Sequence, residues 1–226
     1  MKQVKTNPAK LYVLLIVFVT LINSTHAQDW RSDKRINVLF GTSQILLHGF
    51  NIEGNFIYKR FIFDYSHGVS LDFKDANVSS DLQKQGLAVH MPWTTGFGIG
   101  YRLKEWINIR VEPKFHRFEF YYENDPINNN TQITSYNTFT LGIGLYEDYR
   151  PFKKNGNFLR GFLIAPSVRF WPTVSSTLEG GSFTYMNRNT NKEEEITTLD
   201  PGIKFTPWIF NISLGYSFQL KRKNKA

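Results

Sequence analysis

The sequence predicts an all-β fold: an eight-stranded antiparallel up-and-down transmembrane β-barrel. Three observations predict it. Period-two alternation of apolar and polar residues recurs in eight segments, and their connections are alternately short and long. The chain is also rich in aromatic residues yet polar on average: they form 16% of its 226 residues, and the mean hydropathy is -0.34. A helical membrane protein needs runs of about 20 apolar residues, whereas a tilted barrel strand turns only alternate residues to lipid. The aromatic content argues against disorder.

The first element is a leader. Residues 1–10 carry Lys2, Lys5 and Lys10 without an acid, Leu11–Ile22 is mostly apolar, and Thr25 and Ala27 place small residues before Gln28. This is the three-part pattern of a cleaved secretory signal, and its apolar run is short for a membrane span. The expected organisation is a cleaved signal peptide over 1–27, a lead over 28–34, the barrel over 35–220 and a basic tail over 221–226. Absence of cysteine excludes a disulfide framework, a thiolate metal site and a lipid-modified N-terminal cysteine. The formal charge of +8 is nearly all terminal, in the leader lysines and in Lys221, Arg222, Lys223 and Lys225. No basic stripe with interleaved aromatics occurs between them, which excludes nucleic acid as a partner.

The segments follow in order. Ile36, Val38 and Phe40 oppose Asn37 and Gly41, and Phe50, Ile52, Phe56 and Tyr58 oppose Asn51, Glu53 and Asn55. In the third, Phe61, Phe63, Tyr65, Val69, Leu71 and Phe73 oppose Asp64, Ser66, Gly68, Ser70 and Asp72. In the fourth, Val89, Met91, Trp93, Phe97, Ile99 and Tyr101 oppose His90, Gly98, Gly100 and Arg102. The fifth sets Ile107, Ile109, Val111 and Phe115 against Asn108, Arg110, Glu112, Lys114 and His116. The sixth sets Phe139, Leu141, Ile143 and Leu145 against Thr140, Gly142 and Gly144, and the seventh sets Phe162, Ile164, Val168 and Phe170 against Ser167 and Arg169. The eighth is the most regular, with Trp208, Phe210, Ile212, Leu214, Tyr216, Phe218 and Leu220 on one face. A soluble β-sandwich would alternate too. Long aromatic-rich faces favour the membrane, as do charges and glycines gathered on the opposite face.

Short connections fall at Lys59-Arg60, Leu103–Trp106 and Tyr149–Asn157; long ones cross 74–86, 123–134 and 173–202. That asymmetry belongs to barrels with short periplasmic turns and longer external loops. The connection near Thr42–Gln44 is the exception and reads as tight. Pro113, Pro166 and Pro172 weaken their segments, because a closed barrel has no free edge.

One motif is sharper. Ser213-Leu214-Gly215-Tyr216-Ser217-Phe218-Gln219-Leu220 reads polar, any, Gly, any, any, aromatic, any, hydrophobic, and Thr94–Tyr101 partly echoes it. It resembles the assembly signal that outer-membrane barrels present on their last strand, with Ser213, Gly215, Phe218 and Leu220 at its key positions. The pattern over about 35–220 resembles the small eight-stranded outer-membrane barrels, the OmpA membrane domain and OmpX type. The resemblance implies a bacterial outer-membrane location, with membrane lipid and the barrel-assembly machinery as partners. It departs from the family at the end, where Lys221–Ala226 follow instead of a terminal aromatic.

The lumen of an eight-stranded barrel is just wide enough for side chains. Glu53, Asp64, Asp72, Arg110, Glu112, Lys114, His116 and Arg169 are expected to face it as a paired charge network, with glycines leaving room for the long arginines. His67 falls on the lipid face with no acid or serine of matching parity, so no nucleophile–base–orienter set assembles. No cofactor or metal site is expected. The reading is a non-enzymatic barrel with an occluded lumen and a structural or surface-interaction role through its loops. A narrow small-solute channel and an outer-leaflet lipid A-modifying enzyme stay open, and no surface partner is specified.

Overall fold

The structure, a computed structural model, describes residues 33–73, 82 and 84–220. The leader over 1–27, the lead through residue 32, most of the 74–83 stretch and the tail over 221–226 lie outside the described residues.

Eight strands close a barrel: β1 (Lys34–Gly41), β2 (Phe50–Tyr58), β3 (Phe61–Phe73), β4 (Leu87–Arg102), β5 (Ile107–Tyr122), β6 (Thr134–Glu147), β7 (Phe162–Phe170) and β11 (Trp208–Gln219). Each pairs antiparallel with its sequence neighbour, β7 pairs with β11, and β11 closes the ring onto β1. The start of β1, the end of β11 and the short turns at 59–60 and 103–106 share one end of the barrel, here the turn end. The long connections share the other, the loop end.

Inside and outside follow the alternation. On the outer face, Phe63, Tyr65, Phe97, Ile99, Leu141, Phe210 and Ile212 are exposed, which makes a belt of large apolar side chains around the wall. Water would not tolerate a continuous surface of this kind, whereas acyl chains solvate it. On the inner face, Arg35, Asn37, Glu53, Asp64, Arg110 and Glu112 are buried. Over the height of the β1–β2 hairpin, the closed ring of ladders pairs the backbone within the wall.

Toward the loop end this polarity inverts. On β5 the outward side chains change from Val111 and Phe115 to Arg117 and Glu119, ion-paired at 2.9 Å, while the inward ones change from Lys114 and His116 to Phe118 and Phe120. On β3 and β4 the same switch is made by the backbone. Ser70 takes a left-handed conformation (φ 55°), and β4 carries a bulge between His90 and Thr94 that contains Pro92. Val69 pairs with Trp93 below these kinks and Leu71 with Met91 above them, so both strands reverse facing at one level.

This corrects the expected facing of six residues. Leu71, Phe73, Val89 and Met91 point inward and are buried. Asp72 and His90 lie across from each other on the outer face, where His90 Nδ1 and Asp72 Oδ1 are 2.6 Å apart. Neither Asp72 nor His90 belongs to the lumen, because strict alternation cannot foresee a bulge that flips it.

Two connections also differ from the reading of the sequence. The tight first loop is a helical turn, α1 (Thr42–Leu46). The 173–202 connection contains β8 (Thr173–Ser176), which lengthens the sheet beside β6, and a hairpin of β9 (Ser182–Asn187) and β10 (Lys192–Thr197). The hairpin reaches into the barrel's upper core, a cluster that includes Leu71, Met91, Phe118, Phe120, Tyr185 and Ile196.

The inversion sets a membrane boundary. With no native cysteine, Glu119→Cys in a lipid-reconstituted barrel is expected to react with a water-soluble maleimide, and Phe97→Cys to resist it. Equal labelling of the two would show that the belt is not in lipid.

Candidate functional site

Three tiers fill the lumen. At the turn end, Arg35 contacts Asp33 and Asp148, each at 2.9 Å, and Arg102 contacts Asp33 at 3.2 Å. Two cations therefore meet two carboxylates under the barrel floor. Beside this tier Arg150 sits in the 148–161 connection; burial and the neighbouring Arg35 lower its pKa to about 10.

The middle tier is centred on Arg110. Its Nη1 donates to Glu53 Oε1 at 2.7 Å and approaches Asp64 Oδ2 at 3.4 Å, and its Nε donates to Asn108 Oδ1 at 2.8 Å. Its guanidinium lies 4.0 Å from the Tyr146 ring centre. Arg169 reaches Glu53 at 3.9 Å, and Lys114 reaches Glu112 at 3.4 Å. Glu112 also accepts hydrogen bonds from the Trp171 indole N–H (3.1 Å) and the Tyr146 hydroxyl. Arg110, Lys114 and Arg169 thus face Glu53, Asp64 and Glu112, and the tier is neutral as a set. Each of the six is almost completely buried, so neutrality is what makes the arrangement tolerable: an isolated charge there would keep most of its desolvation cost.

His116 sits just above. Its ring nitrogens lie 2.8 Å from Thr94 Oγ1 and 3.0 Å from Thr140 Oγ1. Two hydroxyls hold the imidazole, and among the described residues no carboxylate contacts it.

Glycines make the room that the long side chains need. A Cβ on Gly98 would strike the Asp64 carboxylate, one on Gly100 the Arg110 stem, and one on Gly142 the Trp171 ring. The apolar tier above is the upper core already described. Between it and the middle tier lies a cavity of about 290 Å³.

Seven of the eight expected lumen charges are therefore in the lumen, counting His116; Asp72 is the exception. Asp33, Arg35, Arg102 and Asp148 form a cluster beyond the expected network, and Tyr146 and Trp171 join the middle tier. Parity alone would have found four of these: Arg35 is in step with Asn37, Arg102 with Gly100, Tyr146 with Gly144, and Trp171 with Arg169. Asp33 and Asp148 sit just outside the strands, where parity has no say. On the outer face His67 has Ile52 and Thr95 as its cross-strand neighbours and no carboxylate partner among the described residues. On β11, Ser213 is buried inward, Gly215 packs its backbone against Val38 of β1, and Phe218 points outward.

No family model and no curated protein matches the sequence. Solved structures do. The chain is similar to Ail, the attachment invasion locus protein of Yersinia pestis, solved with the heparin analogue sucrose octasulfate, at 10% identity over 82% of this chain and 99% of that one, with a TM-score of 0.39. It is similar to the N-terminal β-barrel domain of Pseudomonas aeruginosa OprF at 12% identity, covering 83% and 98% of the two chains, with a TM-score of 0.41. A major outer membrane protein of Thermus thermophilus is similar at 11% identity, covering 83% and 99%, with a TM-score of 0.42. At these identities the likeness is one of fold alone.

Removing one partner from the middle tier strands the rest. Arg110→Ala is expected to cost about 3–5 kcal/mol by leaving Glu53 and Asp64 uncompensated. Denaturant titration of the refolded barrel measures this, and a loss below about 1 kcal/mol would show that the tier is solvated.

Proposed function

We propose that this chain is a non-enzymatic bacterial outer-membrane barrel: a closed stem that carries its external connections as a surface for interaction. The observation that carries this reading is the filling of the bore. A neutral, ion-paired tier and an apolar tier follow one another along it, and a solute would have to displace both. The apolar belt, the closed ladders and the leader pattern support export and insertion in the outer membrane. In this reading the leader is removed before Gln28, the barrel occupies 35–220 and the basic tail follows the last strand. The turn end, where β1 begins and β11 ends, faces the periplasm, and the loop end faces outward. Ser213, Gly215 and Phe218 on the closing strand, with Leu220 just after it, are the surface read by the barrel-assembly machinery during insertion.

The described external connections are tied together by side-chain contacts. The hairpin is held by its own polar contacts: Asn187 Nδ2 donates to Glu194 at 2.9 Å and the Tyr185 hydroxyl donates to it at 3.0 Å. Arg188 adds two contacts to Asp125 of the 123–134 connection, at 3.1 and 2.9 Å. The 123–134 and 173–202 connections thereby form one surface. The hydrogen bonds from Asn187 and Tyr185 hold the Glu194 carboxyl below its ordinary value of 4.5.

Single-channel recording tests the proposal. The protein in a planar bilayer is expected to show no discrete conductance steps, and stable ohmic steps would overturn the occluded stem. An unchanged lipid A mass profile with and without the gene is expected as well; a gained or lost acyl chain would restore the enzyme reading.

The hairpin supplies a pH test. Glu194 has a folded pKa below its unfolded one, so its ionised form stabilises the hairpin above about pH 4.5, and that contribution is lost as pH falls through the depressed value. Protection of the amides within 182–197, with exchange rates referred to the intrinsic rate at each pH, is expected to fall only in that acid window, and Glu194→Gln to remove the dependence.

A further inference from the structure

The barrel wall is uneven, and its low side coincides with the cavity. β1 stops at Gly41, opposite Ser213, while β11 continues to Trp208. β2 begins at Phe50, opposite Val69, while β3 continues to Phe73. Above the short β1–β2 hairpin the sheet is therefore interrupted. α1 fills only part of the gap, through hydrogen bonds from Thr42 Oγ1 to Ile212 O (2.7 Å) and from Ser43 Oγ to Asn211 Oδ1 (2.6 Å). The remainder is closed by the 201–205 segment, where Phe205 packs against Phe73 with ring centres 5.2 Å apart.

The cavity runs to this gap, and its polarity is the reverse of a water-filled pocket. The exposed residues that line it are Leu46, Ile203, Phe210 and Lys204; the three apolar ones, 76%, 49% and 56% exposed, open it at the greasy outer surface beside one lysine. Its wall is Leu47, Leu71, Phe73 and Met91. Its floor is Ser66, Lys114, His116 and Arg169. None of the three middle-tier carboxylates lines it, so the cavity meets only the cationic side of a neutral cluster. Trp171 also reaches the floor, with Lys114 Nζ 4.5 Å from its ring centre.

We propose that this cavity is a binding site for a single-chain lipid with an anionic head, entered sideways from the membrane at the level of α1. The head lies on Lys114 and Arg169, and the acyl chain runs past Leu71 and Met91 and leaves between Leu46 and Ile203. A water-borne solute would gain little from a mouth whose exposed residues are apolar in three cases of four, whereas a membrane amphiphile keeps its chain against the apolar ones. Lys114 and Arg169 are already held in place by Glu112 and Glu53, at 3.4 and 3.9 Å, so little ordering is lost when they are shared with an anionic head. The inference goes beyond the display role and is independent of it, since a conducting barrel could hold the same site.

Brominated hexadecanoic acid tests it, because bromine quenches tryptophan at short range. The probe is added to the full-length refolded protein in micelles of an uncharged, non-fatty-acid detergent, and the Trp171 signal is isolated by subtracting the Trp171→Phe variant. Acid brominated next to the carboxyl is expected to quench Trp171 more strongly than acid brominated at the far end of the chain. Hexadecanol of the same length is expected to compete at least tenfold more weakly, as is the acid against the Lys114→Gln/Arg169→Gln double variant. Absence of Trp171-dependent quenching would overturn the site. Stronger quenching from the far end, or equal competition by the alcohol, would overturn the anionic head on the floor. The alcohol comparison uses the unaltered protein, so the test survives a double variant that fails to refold.

Discussion

Arg110 is the side chain on which the lumen depends. The bore of an eight-stranded barrel admits side chains and little else, so whatever occupies it must be paired within it. Arg110 joins Glu53 from β2 and Asp64 from β3 to its own strand β5, and it stacks on Tyr146 from β6. Lys114 and Arg169 extend the cluster to Glu112 and Glu53. The charge set thus ties opposite walls of the barrel together, and no member can leave without stranding another. The apolar belt outside can be assembled from any large side chains, but this interior tolerates no single loss.

The second constraint is the change of solvent along the wall. Where acyl chains surround the sheet, the outside must be apolar and the inside can be polar. Where the sheet rises into water, the requirement reverses, and a soluble-type core such as Phe118, Phe120 and Met91 must sit within it. β5 makes the reversal by changing residue types without breaking its alternation. β3 and β4 make it with the kink at Ser70 and the bulge around Pro92, placed at one height so that their ladder stays in register above and below.

That difference explains what the sequence discloses and what it hides. The eight strands, their closure and the inward set on β2 and β5 follow from period two, which is why Glu53, Arg110, Glu112 and Lys114 are legible. On β3 and β4 the pattern of large and small residues continues past the kinks, so Leu71 and Val89 look like members of the lipid face although the backbone has turned them over. Asp72 and His90 are carried outward by the same turn, yet they still meet, because the paired kinks preserve their cross-strand relation. The hairpin at 182–197 is hidden for another reason. Its Glu193-Glu194-Glu195 run suggests a solvated loop, and only tertiary burial of Tyr185 and Ile196 shows that the strand has an inner side.

The uneven wall follows from these two constraints together. β3–β6 are long because their upper parts enclose an apolar core that needs walls on several sides. β1 and β2 are only 8 and 9 residues long, enough for a tilted strand to traverse most of the hydrocarbon and no more. A core enclosed on its tall side alone would be open to the membrane on the other, so the chain returns α1, the 201–205 segment and the hairpin to cover it. α1 keeps Ile45 and Leu46 exposed while it does so, at 61% and 76%. Side chains of that kind would be costly in water and are at home in lipid, which places the patch within reach of acyl chains. The low side of the barrel is therefore where interior and bilayer come nearest to each other, and the cavity lies directly behind it.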